Sequence, residues 1–445
     1  MSGPLWTLLV VAAGVALVVF ATLKLRLPAF FALLLTAIAA GIAFGAEPVS
    51  VLASVKKGAG EALGFVAVIL GLGSIFGALL EAGGGVGVMA RALLDRFGVR
   101  RAPWALATIG ILVGIPLFFD VALIILAPLM LGVAQRSGKA VAFVALPVLA
   151  GLAVMHGLLP PHPGPVAAAE LLHADYGRIA LWGLACGIPA VLVAGPLYAL
   201  AAFRKGVYVA PETSPVADDG AVDALIGLWP ALVGMLAPLV LIVAGAVAHA
   251  ALPEGPVRTA LAFFGHPFVA LAVACGYAWV LLRRRGVDRH RLLGIAGRAL
   301  EPAGAIALVI GAGAAFKQVL IDSGAGAHLT AAVEGARLSP LVFGFLIAAI
   351  MRIAQGSATV AMVAAAGLAA PLATAAGLDA NQVALVVIGI GAGATVVSHV
   401  NDAGFWLVGQ YLGLSETETF RSWTVASTMA GLVAFAAALV ASALV

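Results

Sequence analysis

Four short polar islands sit in otherwise apolar surroundings: FFD at Phe118–Asp120, HGLLPPHPGP at His156–Pro165, RIAQGSAT at Arg352–Thr359, and SHVNDAG at Ser398–Gly404. Lys317 adds an isolated cation within another apolar run. Ser357, Thr359, Gln355, Asn401, His156, His162 and His399 can hydrogen-bond hydroxyls or a carboxylate. Lys317 or Arg352 can offset a carboxylate's charge. Histidine titrates nearest neutral pH and a buried carboxyl can be raised toward it, so His156, His162, Asp120 and Asp402 are the candidates for carrying a proton. Each has a plainer reading. Asp120 could pair with a cation to hold a hairpin, and Lys317 or Arg352 could snorkel to an interface. His162, flanked by prolines, could lie in a surface loop.

The surroundings decide what such groups are for. Of 445 residues, 63% are hydrophobic and only 10% charged, against about half and about a quarter in soluble chains. This is the composition of an all-α polytopic membrane protein, long enough for about ten spans of about 20 residues. Ionisable groups inside a membrane usually face a cavity and serve function. The formal charge of +4 falls in short loops, which reads as topology and not as nucleic-acid binding. Cys186 and Cys275 lie inside predicted spans and form no disulfide framework or metal motif. Leu5–Leu23 reads as a first span and not as a cleaved signal peptide.

Proline breaks helices, and broken backbone at membrane depth survives only where protein or a cavity covers it. The His156–Pro165 stretch and SHVNDAG are therefore expected to be two broken helices, at 140–165 and 382–404. Long interrupted apolar regions at 103–134 and 341–376 are expected to be re-entrant hairpins, with Asp120 near the first tip. GLGSIFGALLEAGGG at Gly71 matches GAGAAFKQVLIDSGAG at Gly311, and the order of elements after each is the same. That order predicts two inverted repeats of about five spans, 1–203 and 224–445, joined by a cytoplasmic linker at 204–223. On this pattern His156 falls roughly opposite His399. Interfacial helices are expected at MARALLDRFGVRR and HLTAAVEGARL. A polar stretch around Lys56 and Lys57 precedes a span at Glu61–Leu80, and further spans are expected at Ala260–Leu282 and Ala299–Leu320. Placing the basic loops in the cytoplasm puts both termini outside.

The glycine pairs lack the βαβ setting of a nucleotide fingerprint, and no H-E-x-x-H accompanies the histidines. No cofactor is expected, and an intramembrane hydrolase is the weaker alternative to a carrier.

FFDVALIILAP, HGLLPPHPGP, GAGAAFKQVLIDSG, RIAQGSATVAM and SHVNDAGFWLV together resemble the gluconate permease family, the gluconate:proton symporters. The resemblance implies import of gluconate or a related sugar acid with a proton across the inner membrane. It also implies alternating access, a mobile transport domain and a homodimer. It carries over Asp120, His156, His162, Lys317, Ser357, Thr359, Asn401 and Asp402 as site positions, with Asp120, His162 and Asp402 as candidates for coupling. GLL follows His156 where a bulkier aromatic is expected. A sodium- or proton-coupled dicarboxylate carrier of the same superfamily is the alternative.

Overall fold

The computed structural model describes residues 4–85, 88, 92, 102–206, 225–324, 338–400 and 402–445. Most of both expected interfacial helices, the linker from 207 to 223, and Asn401 lie outside the described residues. Every regular element among the described residues is helical.

The first half comprises α1 (Pro4–Leu23), α2 (Ala29–Ala43), α3 (Pro48–Ala82), α4 (Ala102–Gly114), α5 (Phe119–Ser137), α6 (Val141–Leu158), α7 (Pro163–Leu172) and α8 (Tyr176–Ala202). The second comprises α9 (Leu228–Ala251), α10 (Pro256–Gly265), α11 (Pro267–Arg284), α12 (Arg289–Asp322), α13 (Pro340–Gln355), α14 (Ala358–Ala375), α15 (Ala380–Thr395), α16 (Ala403–Leu412) and α17 (Glu416–Ser442). The elements α3–α8 and α12–α17 run in the same order with similar lengths. A helix of 35 or 34 residues leads, then a helical hairpin, a helix broken after 18 or 16 residues, and a closing helix of 27 residues.

Three spans differ from the sequence reading. Lys56 and Lys57 lie inside α3, which runs unbroken from Pro48, so there is no polar loop before Glu61. The span expected from Ala299 begins at Arg289, where the Asp288 carboxylate caps α12 by accepting from the His290 and Arg291 amides at 2.8 and 3.4 Å. The span expected at Ala260–Leu282 splits in two: Pro267 opens α11, and His266 caps it by accepting from the Phe268 amide at 3.3 Å. Hydropathy marks apolar length and does not mark helix ends.

Burial sorts the helices into a centre and a periphery. Of the apolar window in Val141–Leu172, 89% is buried, and of that in Ala358–Ala375, 78%; for Leu228–Gly245 and Pro267–Arg284 the shares are 33% and 28%. Trp229, Val233, Val240 and Val247 on α9 are exposed, as a lipid-facing stripe requires. The central helices approach closely because glycine removes the side chain at the crossings. A Cβ on Gly391 of α15 would stand 2.2 Å from the Gly157 carbonyl oxygen of α6. The two broken helices thus cross through backbone contact.

The halves also interlock through their hairpins. The second arm of each hairpin, α5 or α14, packs on the short half-helix of the other half, α16 or α7. A Cβ on Gly404 at the start of α16 would lie 3.4 Å from Phe119, and one on Gly164 at the start of α7 would lie 2.4 Å from Met362.

Candidate functional site

Both helix breaks are anchored to hairpins, and the N-caps do the anchoring. Pro160, Pro161 and Pro163 interrupt the first broken helix, leaving His162 as N-cap of α7. The imidazole of His162 is buried, and its Nε2 lies 2.6 Å from the carbonyl of Gly114 at the end of α4. A carbonyl only accepts, so this nitrogen carries a proton. Its Nδ1 faces His156 Nδ1 at 3.2 Å. With His162 neutral, His156 Nδ1–H is the donor in that pair. Phe118, at the hairpin tip, meets His156 edge-on, with centroids 6.2 Å apart.

The second break has the same plan with charged partners. Asp402 is N-cap of α16, and its Oδ1 accepts from the Gly404 amide at 3.0 Å. Its other oxygen is paired with Arg352 in the last turn of α13 and also accepts from Ser398. Arg352 Nη1 donates to the carbonyl of Gly356 at the hairpin tip. His399 Nε2 lies 3.0 Å from the Ile353 carbonyl. By position, therefore, His162 and Asp402 correspond as N-caps, and His156 does not correspond with His399.

The unwound backbone between Val396 and Asp402 is held by hydroxyls of α17. Val397 sits at φ +48°, a region that β-branched residues avoid. Its amide donates to Thr428 Oγ1 at 3.1 Å, and the Ser398 amide donates to Ser427 Oγ at 3.2 Å. Thr424 donates to the Ser398 carbonyl at 2.5 Å, while the Trp423 indole donates to Ser398 Oγ at 2.7 Å. Trp423 and Thr424 lie in a π-turn, Phe420–Thr424, a distortion frequent at functional positions. These partners restore hydrogen bonds that an unwound segment would lose inside a membrane. Sequence reasoning missed all four, although three hydroxyls within five residues of an apolar span was a usable signal.

The two breaks form one cluster. Asp120 lies in the first turn of α5, within electrostatic range of Arg352 and Asp402, and His156 also lies within range of Arg352. Ser357 caps α14 by accepting from the Val360 amide at 3.4 Å, with Thr359 in the following turn. The amino-terminal ends of α5, α7, α14 and α16, which carry positive helix-dipole ends, approach one another here. Two buried donors have no partner among the described residues: Arg352 Nε and Gln355 Nε2. Ser74 Oγ on α3 is likewise buried and unpartnered, and no sequence pattern marked it.

Lys317 is not part of this cluster. Its Nζ lies 3.2 Å from His173 Nε2, beyond the far end of α7, within electrostatic range of Glu170 and Glu61.

A helical membrane protein whose polar groups converge where two interrupted helices cross between two hairpins has the architecture of a transporter. Residues 6–445 match the GntP family permease model, and the chain belongs to that family. It is 39% identical over 432 residues to the low-affinity gluconate transporter of Escherichia coli K12, covering 96% of each chain. It is 38% identical to the gluconate permease of Pseudomonas aeruginosa, over 94% of this chain and 93% of that one. It is also 37% identical to the Gnt-II system L-idonate transporter of Escherichia coli K12, over 96% and 97%. The fold is similar to that of the Alcanivorax borkumensis YdaH transporter, with a TM-score of 0.61 at 16% identity over 87% of this chain and 86% of that one. The protein is thus a multi-pass membrane permease and not an enzyme.

Proposed function

We propose that the protein imports gluconate or a related small sugar acid together with a proton across the inner membrane by alternating access. The observation that carries this reading is the meeting of both helix breaks at Arg352, where two buried donors lack partners. Arg352 Nε and Gln355 Nε2 are suited to the carboxylate and a neighbouring hydroxyl of a sugar acid. His156, His399, Asn401, Ser357 and Thr359 supply further hydrogen-bonding groups near the breaks. Asp120 and Asp402 are the proton-carrying carboxylates, with His162 holding the first break in place. Lys317 serves the approach to the site. The names of the gluconate and L-idonate relatives support this substrate class.

The matched order of α3–α8 and α12–α17 supports inverted repeats. The first arm of the second hairpin, α13, has 16 residues and extends about 24 Å, short of the about 30 Å hydrocarbon core. That length supports a re-entrant course for the hairpins. In this arrangement the termini lie outside the cytoplasm, residues 204–223 lie inside it, and two copies form a homodimer.

Gluconate uptake into proteoliposomes tests the reading. An inward proton gradient should drive accumulation without sodium. Stimulation by sodium alone would favour a sodium-coupled carrier, and saturable counterflow would be missing from a passive channel.

A further inference from the structure

In this structure the guanidinium of Arg352 already holds a carboxylate, that of Asp402. A sugar acid presents the same group to the same centre. The surroundings of Asp402 allow it to leave Arg352 without losing its other bonds. Gly404 N–H continues to donate to Oδ1. Ser398 Oγ now donates to Oδ2 and accepts from the Trp423 indole. Having two lone pairs, a serine oxygen can accept from both the indole and a protonated Asp402. Ser398 then reverses from donor to acceptor while its backbone stays fixed by Thr424 and Ser427.

Deepening the sugar-acid reading and resting on it, we propose that proton and substrate are coupled by exchange at Arg352. The substrate carboxylate replaces Asp402 on the guanidinium, and Asp402 takes one proton from the aqueous phase at Oδ2 and donates it to Ser398. On substrate release toward the other side, that proton leaves to water and Asp402 returns to Arg352. No covalent bond other than the O–H forms or breaks.

Charge balance argues for one proton per carboxylate. Facing Asp402 are Arg352 from α13 and Asp120 from α5, with His156 of α6 within range of Arg352; His399 in the break turns its Nε2 to the Ile353 carbonyl. Asp402 pairs directly with this guanidinium, and Asp120 lies within electrostatic range of it. Adding a substrate anion alone would place two carboxylates, the substrate's and that of Asp402, on one buried guanidinium, a heavy cost in a low-dielectric interior. Adding the anion with one proton leaves the sum unchanged. Asp120 is exposed at the hairpin tip, placed to pass the proton between water and Asp402.

Calorimetric titration of the purified full-length protein with gluconate tests this, with buffers of different ionisation enthalpy reporting protons taken up. The wild type should take up about one proton per gluconate bound, with affinity falling by up to about tenfold per unit as pH rises. Asp402→Asn should take up no proton on binding gluconate and fail to accumulate gluconate under a proton gradient, with whatever counterflow it retains insensitive to pH. Binding by the wild type without proton uptake overturns the exchange and leaves the sugar-acid reading standing. Retained uptake in Asp402→Asn, with loss in Asp120→Asn, also overturns it. Absence of gluconate binding and counterflow in the wild type overturns the substrate reading, and this one with it. Asp120→Asn keeps the test decisive if Asp402→Asn does not fold: retained proton uptake on gluconate binding supports Asp402 as the carrier, and lost uptake overturns it.

Discussion

Arg352 donates from its planar fork to the Gly356 carbonyl and to Asp402, and its third donor, Nε, is buried without a partner among the described residues. Lysine has a point charge and no second donor plane, so it cannot serve all three. Arg352→Lys should therefore weaken gluconate counterflow at least about tenfold, the loss expected for about 1.4 kcal/mol, and Gln355→Ala should cost less. The same scale holds a stability prediction. Trp423→Phe removes the indole donor from the buried Ser398 hydroxyl and should destabilise by about 1–3 kcal/mol, read from thermal unfolding in detergent. Arg352, Asp402 and His162 were legible because ionisable groups stand out in an apolar sequence. Trp423 and Ser74 were not, since an aromatic or a serine in a span is unremarkable until its neighbours across the fold are known.

Among elements, the second broken helix depends on α17 more than on its own sequence. Ser427 and Thr428 each accept from an amide of the unwound segment. Ser427→Ala with Thr428→Val should leave both amides unpaired and loosen the break. Hydrogen exchange should then rise at Val397 and Ser398 while α15 stays protected. The crossing of α6 and α15 is stricter. Because the nearest atom to a Cβ at Gly391 is the backbone oxygen of Gly157, Gly391→Val should force the helices apart and cost about 1–3 kcal/mol or more, with transport lost. Proline and polar content revealed both breaks in the sequence. The unbroken courses of α3 and α12 through Lys56, Lys57 and Glu301 were hidden. A helix of 35 residues extends about 52 Å, beyond the about 30 Å core, so its charges need no loop to reach water.

Across the whole molecule, the repeated order of elements was visible at an offset of about 240 residues because Gly71 and Gly311 open similar segments and each half contains a span that ends in a polar break. The reciprocal packing of α5 on α16 and of α14 on α7 was not visible, because long-range partners leave no local signature. Inversion makes a sharp claim about sidedness. The base of the first hairpin carries Arg136 and Lys139, whereas between Arg352 and Arg421 the chain contains no lysine or arginine and the second hairpin's base is followed by Asp379. Because positive charge is retained in the cytoplasm, the proposed topology has the first base inside and the second outside. Gln135 and Ala376 are exposed at these two bases. Gln135→Cys should react with a membrane-impermeant maleimide only in inside-out vesicles, and Ala376→Cys only in right-side-out cells. The native Cys186 is buried and Cys275 is partly buried, with its thiol 3.2 Å from the Leu72 carbonyl, so background labelling should be low. Labelling of both introduced cysteines from one side would mean parallel halves and would remove the basis for two-sided access to the crossing at Gly157 and Gly391.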